Sequence, residues 1–544
     1  MGVLYQTDDA THFLEQSGAR LLPLDAAELP DPLRRRAGNH YLLPVGWKSV
    51  KEVIVHLPEE FPDAPPLVFL TAGNIPTHVI PHVNSDGQIC TLPVGCIINP
   101  YRPKEQIEAV AQIAQKVFES EYSVDQALAE IETELKAYWT TLSHPALFLK
   151  DNTVDTRCVV AVENLDVVPE VRGRKSQLVT QMPAKIPNQV GLVVDVPRER
   201  LIRFVESPVE CLAGLESWKQ SSSVLAALLA ERNQDGKFIT LFVLARCQTS
   251  QGVVWLGGLF QNPLRVRKGA QQIQEGLNTL LNQSPFQKRA VDDLRTERLV
   301  SRAEGSGARK HLMDYPVAIV GCGSVGSFVA DMLARSGIRR LLLVDKEVFE
   351  STNLARHILD TASLLMPKAA ALRGHIVRRF PESSIDDDGR DARHPEVIAR
   401  ISQYAAAFNI IATGDTNTDM TLSRICASGG IGSCCFIWVE ANLQAGHLVY
   451  QPRRCSKTLV DLHGQGADGR FLYQNRIIAN PDDAQCQDHA CQFSFTPYSA
   501  ADMLLFVAAV VRKVIKWVEL PPRQIEVLRW RIGNWETWEA LPPP

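Results

Sequence analysis

Residues 317–326 read VAIVGCGSVG, an apolar run followed by a Gly-x-Gly-x-x-Gly loop. The apolar run predicts a buried strand, and the residues after the loop predict a helix. A second apolar run at 341–344 completes a β–α–β unit. Glycines let the backbone approach a phosphate, and a helix amino terminus offers free N–H groups. Gly321, Gly323 and Gly326 are therefore candidate nucleotide-binding residues.

A carboxylate follows the second predicted strand. Asp345 lies where an acidic side chain can bind the hydroxyl groups of a ribose. A glycine loop with this carboxylate is typical of a dinucleotide-dependent oxidoreductase, and on these residues alone that alternative stays open. The residues that come next favour a different class of enzyme.

Four polar residues follow in a fixed order. Asn353 and Arg356 lie in the stretch DKEVFESTNLARH, Lys368 comes next, and Asp415 directly follows the segment IIATG. This ordered set resembles the adenylating domain of the ThiF and ubiquitin-activating superfamily, which implies a Rossmann-like fold. The resemblance implies that Asn353, Arg356 and Lys368 contact the phosphates of ATP. It also implies that Asp345 binds the ribose and that Asp415 binds Mg²⁺, so that fixed cations and a metal stabilise a departing pyrophosphate.

The amino-terminal part carries a second set of motifs. The segment FPDAPP is followed by PHVNSDGQIC at residues 81–90. The paired prolines, the His-x-Asn triplet and the Gly-x-Ile-Cys resemble the ubiquitin-conjugating fold. The resemblance implies that Cys90 forms a thioester and that Asn84 supplies a donor to the oxyanion formed when an amine attacks. His82 is expected to order the loop. Val83 stands where the family has a proline, and Asn84 lies closer to Cys90 than in typical eukaryotic members.

A second reactive thiol is expected near the last long helix. The chain has twelve cysteines and no Cys-x-x-Cys pair, which argues against a tetrahedral zinc site built from such pairs. The candidates for a thioester-forming cysteine in the activating part are Cys486 and Cys491. We favour Cys491, because it lies just before the helix, as the catalytic cysteine does in related bacterial activating domains. A metal site that includes His489 stays open as an alternative.

The chain is predicted to be an α/β multidomain protein. An α+β conjugating-like domain is expected at 1–145, an α/β middle domain at 151–300, and a ThiF-type adenylation domain at 301–544. The middle region has strand-like and helical segments but no phosphate loop, and the residues alone favour a structural or docking role. The resemblance implies that it is an inactive adenylation-like domain that helps a homodimer to assemble. In this family, arginines upstream of the glycine loop can also reach ATP, and Arg298 or Arg302 would fit.

Composition and charge narrow the range of partners. The 544 residues are 45% hydrophobic and 22% charged, as expected for a folded multidomain chain. The net charge of −4 is too balanced to predict capture of nucleic acid or of an anionic membrane. The amino-terminal residues lack a signal-peptide pattern, and the apolar stretches are too short to cross a bilayer. We therefore expect a cytoplasmic protein without nucleic-acid or membrane partners.

The two motif sets together resemble the fused conjugating and activating enzymes of bacterial antiphage operons, including those beside cyclic-oligonucleotide synthases. The resemblance implies ATP and Mg²⁺ as cofactors. It implies a partner protein with a reactive carboxyl terminus, either a cyclic-nucleotide synthase or a ubiquitin-like protein. Alternatives are an adenylyltransferase for a sulfur-carrier protein, a scaffold that binds a partner without chemistry, and the oxidoreductase.

Overall fold

The computed structural model describes two compact units, Met1–Asp293 and Leu294–Pro544. The described residues are 2–91, 99, 101–139, 147–150, 153–164, 177–296, 298–299, 310–404, 408–465, 471–478, 486–487, 494–495, 497–531 and 534–537. Within these ranges, none of the helices combines the length and apolar character that a membrane span needs.

The first unit begins with a five-stranded antiparallel sheet in the order β1-β2-β3-β4-β5. Val53 and Val55 of β3 face a core that also contains Leu14 and Ile107 from two flanking helices. The opposite face carries Ile54, which is covered by apolar residues between positions 22 and 33. The strands are β1 Arg20–Leu21, β2 Gly38–Pro44, β3 Glu52–Pro58, β4 Leu67–Leu70 and β5 Gln88–Ile89; the helices are α1 Gly2–Gln16, α2 Pro103–Phe118 and α3 Val124–Trp139; short 3-10 helices span Leu33–Arg35 and Ala72–Asn74.

A mixed nine-stranded sheet fills the rest of this unit. Its strand order is β13-β11-β10-β9-β7-β8-β6-β14, with β12 paired to β10. The strands are β6 Leu147–Leu149, β7 Val159–Asn164, β8 Gln177–Thr180, β9 Gln189–Val196, β10 Phe238–Thr249, β11 Gly252–Phe260, β12 Leu264–Arg265, β13 Phe286–Arg289 and β14 Val291–Asp293. The helices are α4 Thr153–Thr156, α5 Leu201–Glu206, α6 Pro208–Ala213, α7 Glu216–Glu231 and α8 Ala270–Gln283, with a 3-10 helix at Arg198–Arg200.

Helix α3 belongs to this second core although it lies within the predicted conjugating-like domain. Leu128, Ile131 and Leu135 recur at helical spacing and pack with Leu192 and Phe204 of the nine-stranded part. The first two predicted domains therefore share one helix, and both lie in one compact unit.

The second unit is built on an eight-stranded sheet in the order β17-β16-β15-β18-β19-β20-β25-β26. The strands from β17 to β19 are parallel, and the last three are antiparallel. The strands are β15 Pro316–Val320, β16 Arg340–Val344, β17 Ser384–Asp388, β18 Phe408–Ile411, β19 Ser433–Val439, β20 Gly446–Gln451, β21 His463–Gln465, β22 Phe471–Tyr473, β23 Cys486–Gln487, β24 Ser494–Phe495, β25 Glu526–Arg531 and β26 Asn534–Thr537. The pairs β21-β22 and β23-β24 form two small separate sheets.

The direction of strand succession reverses beside β15, since β16 lies on one side and β18 on the other. Ligands of open α/β sheets bind at such a switch point, at the carboxyl ends of the strands. The helices are α9 Lys310–Met313, α10 Ser324–Arg335, α11 Lys368–Arg379, α12 Pro395–Tyr404, α13 Thr416–Ser428 and α14 Ala500–Glu519; 3-10 helices span Ser351–Arg356, Thr361–Ser363, Ala441–Leu443 and Leu459–Leu462. The predicted fold class is confirmed, and the glycine loop lies at the switch point.

Candidate nucleotide and thioester sites

The glycine loop joins β15 to α10, and its three glycines have different roles. Gly321 has a φ of +92°, and a Cβ there would lie 2.4 Å from the carbonyl oxygen of Ala412. A Cβ on Gly326 would lie 1.9 Å from the carbonyl oxygen of Gly321. A Cβ on Gly323 would meet nothing within 4 Å. The first and third glycines therefore build the loop, whereas Gly323 leaves open space at the helix amino terminus, where a phosphate can approach.

Asp345 connects the glycine loop to the end of β16. One oxygen of its carboxylate accepts the backbone N–H of Cys322 at 2.6 Å, and the other accepts that of Glu347 at 2.8 Å. Burial raises the pKa of Asp345 above its usual value, against the opposing effect of these two hydrogen bonds. Each oxygen keeps a second lone pair, which is what hydrogen bonds from ribose hydroxyls require.

A cavity of about 660 Å³ opens beside the loop, within the usual size range of small-molecule sites. It brings together Gly323, Asn353, Arg356 and Lys368, which are four of the predicted nucleotide-binding residues. These residues are far apart in the sequence, and they converge because their segments all lie at the carboxyl edge of the parallel strands. Asp345 and Asp415 do not belong to the cavity wall itself.

Lys368 is the buried cation of this cavity. Its Nζ lies 2.5 Å from Oε2 of Glu347, a partner that the motif did not predict. Asn353 Oδ1 accepts the backbone N–H of Glu350 at 3.1 Å, which fixes the 3-10 helix that carries Arg356. The Arg356 guanidinium lies over the ring of Tyr498, 5.8 Å from its centroid.

Asp415 is the amino-terminal cap of α13. Its carboxylate accepts the backbone N–H of Asn417 at 3.0 Å and the hydroxyl of Thr418 at 2.6 Å. Burial acts to raise its pKa, but these hydrogen bonds and the charge of Arg393 outweigh burial, so the pKa of Asp415 is lowered. The group therefore stays ionised at neutral pH.

A second carboxylate, Asp419, lines the cavity one helical turn further along α13. It is buried and accepts the Thr413 hydroxyl at 2.5 Å, and burial followed by the charge of Asp415 raises its pKa to about 7. Two carboxylates are hard oxygen donors, and Mg²⁺ takes one or two of these together with phosphates and water, so the donor set fits this ion. The helical spacing of four residues could have drawn attention to Asp419 once Asp415 was identified.

One wall of the cavity includes Glu440, a largely buried acid that sequence reasoning did not identify. Glu440 accepts the backbone N–H of Ile477 at 2.9 Å and that of Ile478 at 2.7 Å, and it pairs with His447 at 2.7 Å. Burial opposes ionisation of Glu440, but these partners lower its pKa. Glu440 thus fixes the segment that follows β22 against the cavity. A single acidic residue after a strand gave no sequence signal for this role.

Cys90 directly follows β5 in the first unit, and its thiol is half-buried. Its Sγ lies 3.7 Å from Oδ1 of Asn84, so the structure brings the predicted nucleophile and the predicted oxyanion donor together. Burial, and then the charges of Glu134 and Asp86, raise the pKa of Cys90 to about 11. The sulfur is therefore a thiol at neutral pH, and it needs loss of a proton before it can accept an acyl group.

The loop before Cys90 is held at His82, as the sequence led us to expect. His82 has a φ of +63°, and its ring nitrogens lie 3.2 Å from Glu134 and 3.4 Å from Glu130. Both glutamates lie on α3, at positions that no motif marked. Each ring nitrogen of His82 therefore has a glutamate carboxylate beside it.

The other predicted residues have mixed outcomes. Arg298 is described and is exposed. Arg302, His489 and Cys491 lie outside the described residues. Cys486 is the first residue of β23, and the structure describes its backbone. Their assigned roles stay predictions.

Two family models match parts of the chain. Residues 295–483 match the ThiF family, and residues 41–148 match prokaryotic E2 family B. The predicted combination of an activating-type and a conjugating-type segment in one chain is therefore confirmed.

Several relatives carry the same description, ATP-dependent ubiquitin transferase-like protein Cap2. The Pseudomonas aeruginosa protein is 22% identical over 452 residues, covering 81% of this chain and 80% of that protein. The Enterobacter hormaechei protein is 25% identical over 278 residues, covering 50% of this chain and 45% of that protein. The matched segment thus spans less than half the length of this second relative. The similarity thus extends over most of this chain for the first relative and over half of it for the second.

Among solved structures, Escherichia coli MccB with ATP overlaps this chain partially. The sequence identity is 16%, the overlap covers 42% of this chain and 64% of that chain, and the TM-score is 0.30. This overlap is too low to bear on function.

Proposed function

We propose that this protein is an ATP-dependent ligase that activates the carboxyl terminus of a protein and joins it to an amine. The observation that carries the proposal is the pairing, in one chain, of a cavity that holds Gly323, Asn353, Arg356 and Lys368 with the Cys90 thiol beside Asn84. The first site has the residues for adenylation, and the second has a thiol with an amide beside it.

In the adenylation step, the substrate carboxylate attacks the α-phosphate of ATP, and pyrophosphate leaves. The open space at Gly323 admits the phosphates, and Lys368 and Arg356 supply positive charge where negative charge develops. Mg²⁺, when bound near Asp415 and Asp419, supplies further charge stabilisation to the phosphates. Asp345 orients the ribose and, through the Cys322 N–H, keeps the glycine loop in place.

In the transfer steps, the Cys491 sulfur attacks the carbonyl carbon of the acyl adenylate, a C–S bond forms, and AMP leaves. The Cys90 sulfur then attacks this thioester and releases the Cys491 thiol. The acceptor amine then attacks the thioester carbon at Cys90. A C–N bond forms, the C–S bond breaks, and the departing sulfur takes up the proton that the amine loses. The carboxamide of Asn84 lies beside this sulfur and supplies a donor to the transient oxyanion. Because both thiols belong to one chain, the transfer between them is favoured by a high effective concentration.

The biological role proposed for this ligase is antiphage defence in the cytoplasm, with the chain acting as a homodimer. The substrate carboxyl terminus would belong to a cyclic-nucleotide synthase, and a bacterial ubiquitin-like protein is the alternative. Each candidate can be offered to the purified protein in an ATP–pyrophosphate exchange assay, because only a true substrate carboxylate supports the exchange.

Two variants test the proposed steps with the substrate so identified. Asp415→Asn keeps a side chain that can cap α13 but removes the negative charge, so we expect exchange to fall at least about 100-fold with little change in stability. Ser499→Ala, which removes the cap of α14, is the control for cap loss. Cys90→Ala should retain exchange and a thioester at Cys491 but form no conjugate. Normal exchange in Asp415→Asn, or undiminished conjugates in Cys90→Ala, would contradict the corresponding step.

A further inference from the structure

Helix α3 is fixed to the nine-stranded part of the first unit along one face. Besides the apolar residues already described, Trp139 stacks on Phe204 with ring centroids 4.9 Å apart, and its Nε1 donates to the carbonyl oxygen of Gly257 at 2.7 Å. Glu132 is buried and accepts the backbone N–H of Ser250 at 3.0 Å. The helix therefore has little freedom to move relative to that sheet.

The other face of α3 holds the loop that precedes Cys90. The Tyr138 hydroxyl accepts the backbone N–H of His82 at 2.7 Å and donates to Glu134 Oε2 at 2.8 Å. The second oxygen of Glu134 lies 3.2 Å from Nδ1 of the same histidine. The helix departs from helical geometry at Glu134, with φ −120° and ψ 16°, so this residue is the point at which the helix adapts to the loop.

His82 is in turn hydrogen-bonded to Cys90. Its carbonyl oxygen accepts the backbone N–H of Cys90 at 2.8 Å. Its φ of +63° is uncommon for a residue with a side chain, and such a conformation persists where the surroundings hold it. A continuous series of contacts therefore runs from the nine-stranded core through Tyr138 and Glu134 to His82, and from there to Cys90.

We propose that Glu134 and Tyr138 are positioning residues for acyl transfer through Cys90, and that they make the middle domain a support for this thiol. The inference rests on the proposed function, because it concerns the step in which an amine attacks the Cys90 thioester. Loss of either contact would free the His82 backbone and let the thioester carbon move away from the donor at Asn84. Small displacements of reacting groups lower rates strongly, by up to about 100-fold per ångström.

The arrangement favours positioning over direct proton transfer. Both oxygens of Glu134 are engaged, one by Tyr138 and one by His82, and the Tyr138 hydroxyl donates its proton to Glu134, which makes it a poor acceptor for a proton from an amine. If the two side chains act as one unit, replacing either of them should slow acyl transfer by a similar factor. This should hold whether the change removes the charge of Glu134 or the hydroxyl of Tyr138.

The test uses the full chain with Cys491→Ala, so that the thioester at Cys90 can be measured without a thioester at Cys491. A glycine-terminated peptide thioester of mercaptoethanesulfonate loads Cys90 directly, because the cysteine sulfur displaces the small thiolate. Discharge to free lysine is then followed by mass spectrometry. Tyr138→Phe and Glu134→Gln are compared with two controls from the same region, Tyr122→Phe and Asp125→Asn, of which Asp125 is exposed.

We expect both test variants to lower the maximal discharge rate roughly 10- to 100-fold. The KM for lysine should change less than about twofold, and the double variant should be no slower than the slower single variant. Equal thermal unfolding midpoints exclude a folding defect. Rates within twofold of the parent, or additive losses in the double variant, would overturn the positioning role.

Two further outcomes separate the possible failures. A pH profile that Glu134→Gln flattens and Tyr138→Phe leaves unchanged would assign proton transfer to Glu134 and overturn the inference. If the parent protein loads Cys90 but never passes the peptide to lysine, the conjugating step of the proposed function itself fails, and the positioning role falls with it.

Discussion

Nζ of Lys368 lies 2.5 Å from Oε2 of Glu347 at the wall of the nucleotide cavity, and the two side chains differ sharply in burial. The lysine side chain is 6% exposed and the glutamate side chain is 62% exposed. A buried ammonium without an opposite charge is costly, so the contact with Glu347 offsets the cost of burying Lys368 in the place where phosphates are expected. Phosphate oxygens are an alternative partner for the same ammonium.

This competition predicts opposite effects for the two partners. Lys368→Met should weaken ATP binding and lower ATP–pyrophosphate exchange at least about 100-fold, because a cation next to the phosphates is lost. Glu347→Gln should leave ATP binding unchanged or tighten it by up to about tenfold, because Lys368 is released toward the phosphates. Isothermal titration calorimetry with ATP measures the Kd of both variants, and the ATP–pyrophosphate exchange assay measures the loss of exchange in Lys368→Met.

Lys346→Met is the matched control for the lysine variant. Lys346 is exposed and pairs with Asp391 at 3.0 Å outside the cavity, so its loss should change the Kd for ATP less than about twofold. Weaker ATP binding in Glu347→Gln than in the unmodified protein would show that the glutamate acts on the nucleotide and not on Lys368.

The glycine loop allows stability and ligand binding to be separated. Gly326→Ala would bring a Cβ within 1.9 Å of a carbonyl oxygen, whereas Gly323→Ala places one in open space. We expect Gly326→Ala to lower the thermal unfolding midpoint by several degrees. Gly323→Ala should keep the midpoint within about a degree and weaken ATP binding at least about tenfold, because the added methyl group occupies the approach of a phosphate.

Thermal unfolding with and without ATP distinguishes the two variants. The unmodified protein and the folded Gly326→Ala variant should both unfold at a higher temperature with ATP, because a ligand that binds the native state raises the thermal unfolding midpoint. An ATP-induced shift of the same size in Gly323→Ala as in the unmodified protein would place the phosphates away from this glycine.

The elements that the sequence predicted correctly are those with local signals. Strand and helix periodicity placed β15, α10 and α14 correctly, with the glycine loop between the first two. The roles of Lys368 and Cys90 rest on residue types at fixed spacing and stay predictions. Contacts between distant segments had no such signal. Glu134 and Tyr138 lie on a helix whose sequence is an ordinary amphipathic pattern, and only its packing on the nine-stranded sheet turns them toward His82.

Asp419 shows a related limit. A carboxylate on a helix is usually solvated, and the spacing of Asp419 from Asp415 does not by itself reveal that its pKa is raised to about 7. Its burial follows from how α13 packs, which the sequence does not specify locally. For the same reason, the pKa of Cys90 could not be predicted from the motif, since it depends on burial and on the charges of Glu134, from α3, and of Asp86.

The raised pKa of Cys90 gives a prediction about thiol reactivity. With a pKa of about 11, the thiolate fraction at pH 7 is on the order of 10⁻⁴, and it grows about tenfold for each pH unit up to that pKa. Alkylation of Cys90 by iodoacetamide should therefore rise about tenfold per unit between pH 7 and pH 9. In the urea-unfolded chain, the same thiol should titrate near its ordinary value of about 8.5. Peptide mass spectrometry measures the rate at Cys90 separately from the other cysteines.

Glu134→Gln should speed this alkylation severalfold at pH 8, because removal of a nearby negative charge favours the thiolate. Asp125→Asn, on the same helix but exposed, should have no effect. This increase is opposite in sign to the slower discharge expected for the same Glu134 variant. A thiol loosened by misfolding would also react faster, but it would do so in Tyr138→Phe as well, which leaves the charge of Glu134 in place. Faster alkylation in Glu134→Gln alone therefore reports the electrostatic effect, and an unchanged rate in that variant would show that burial by itself sets the pKa of Cys90.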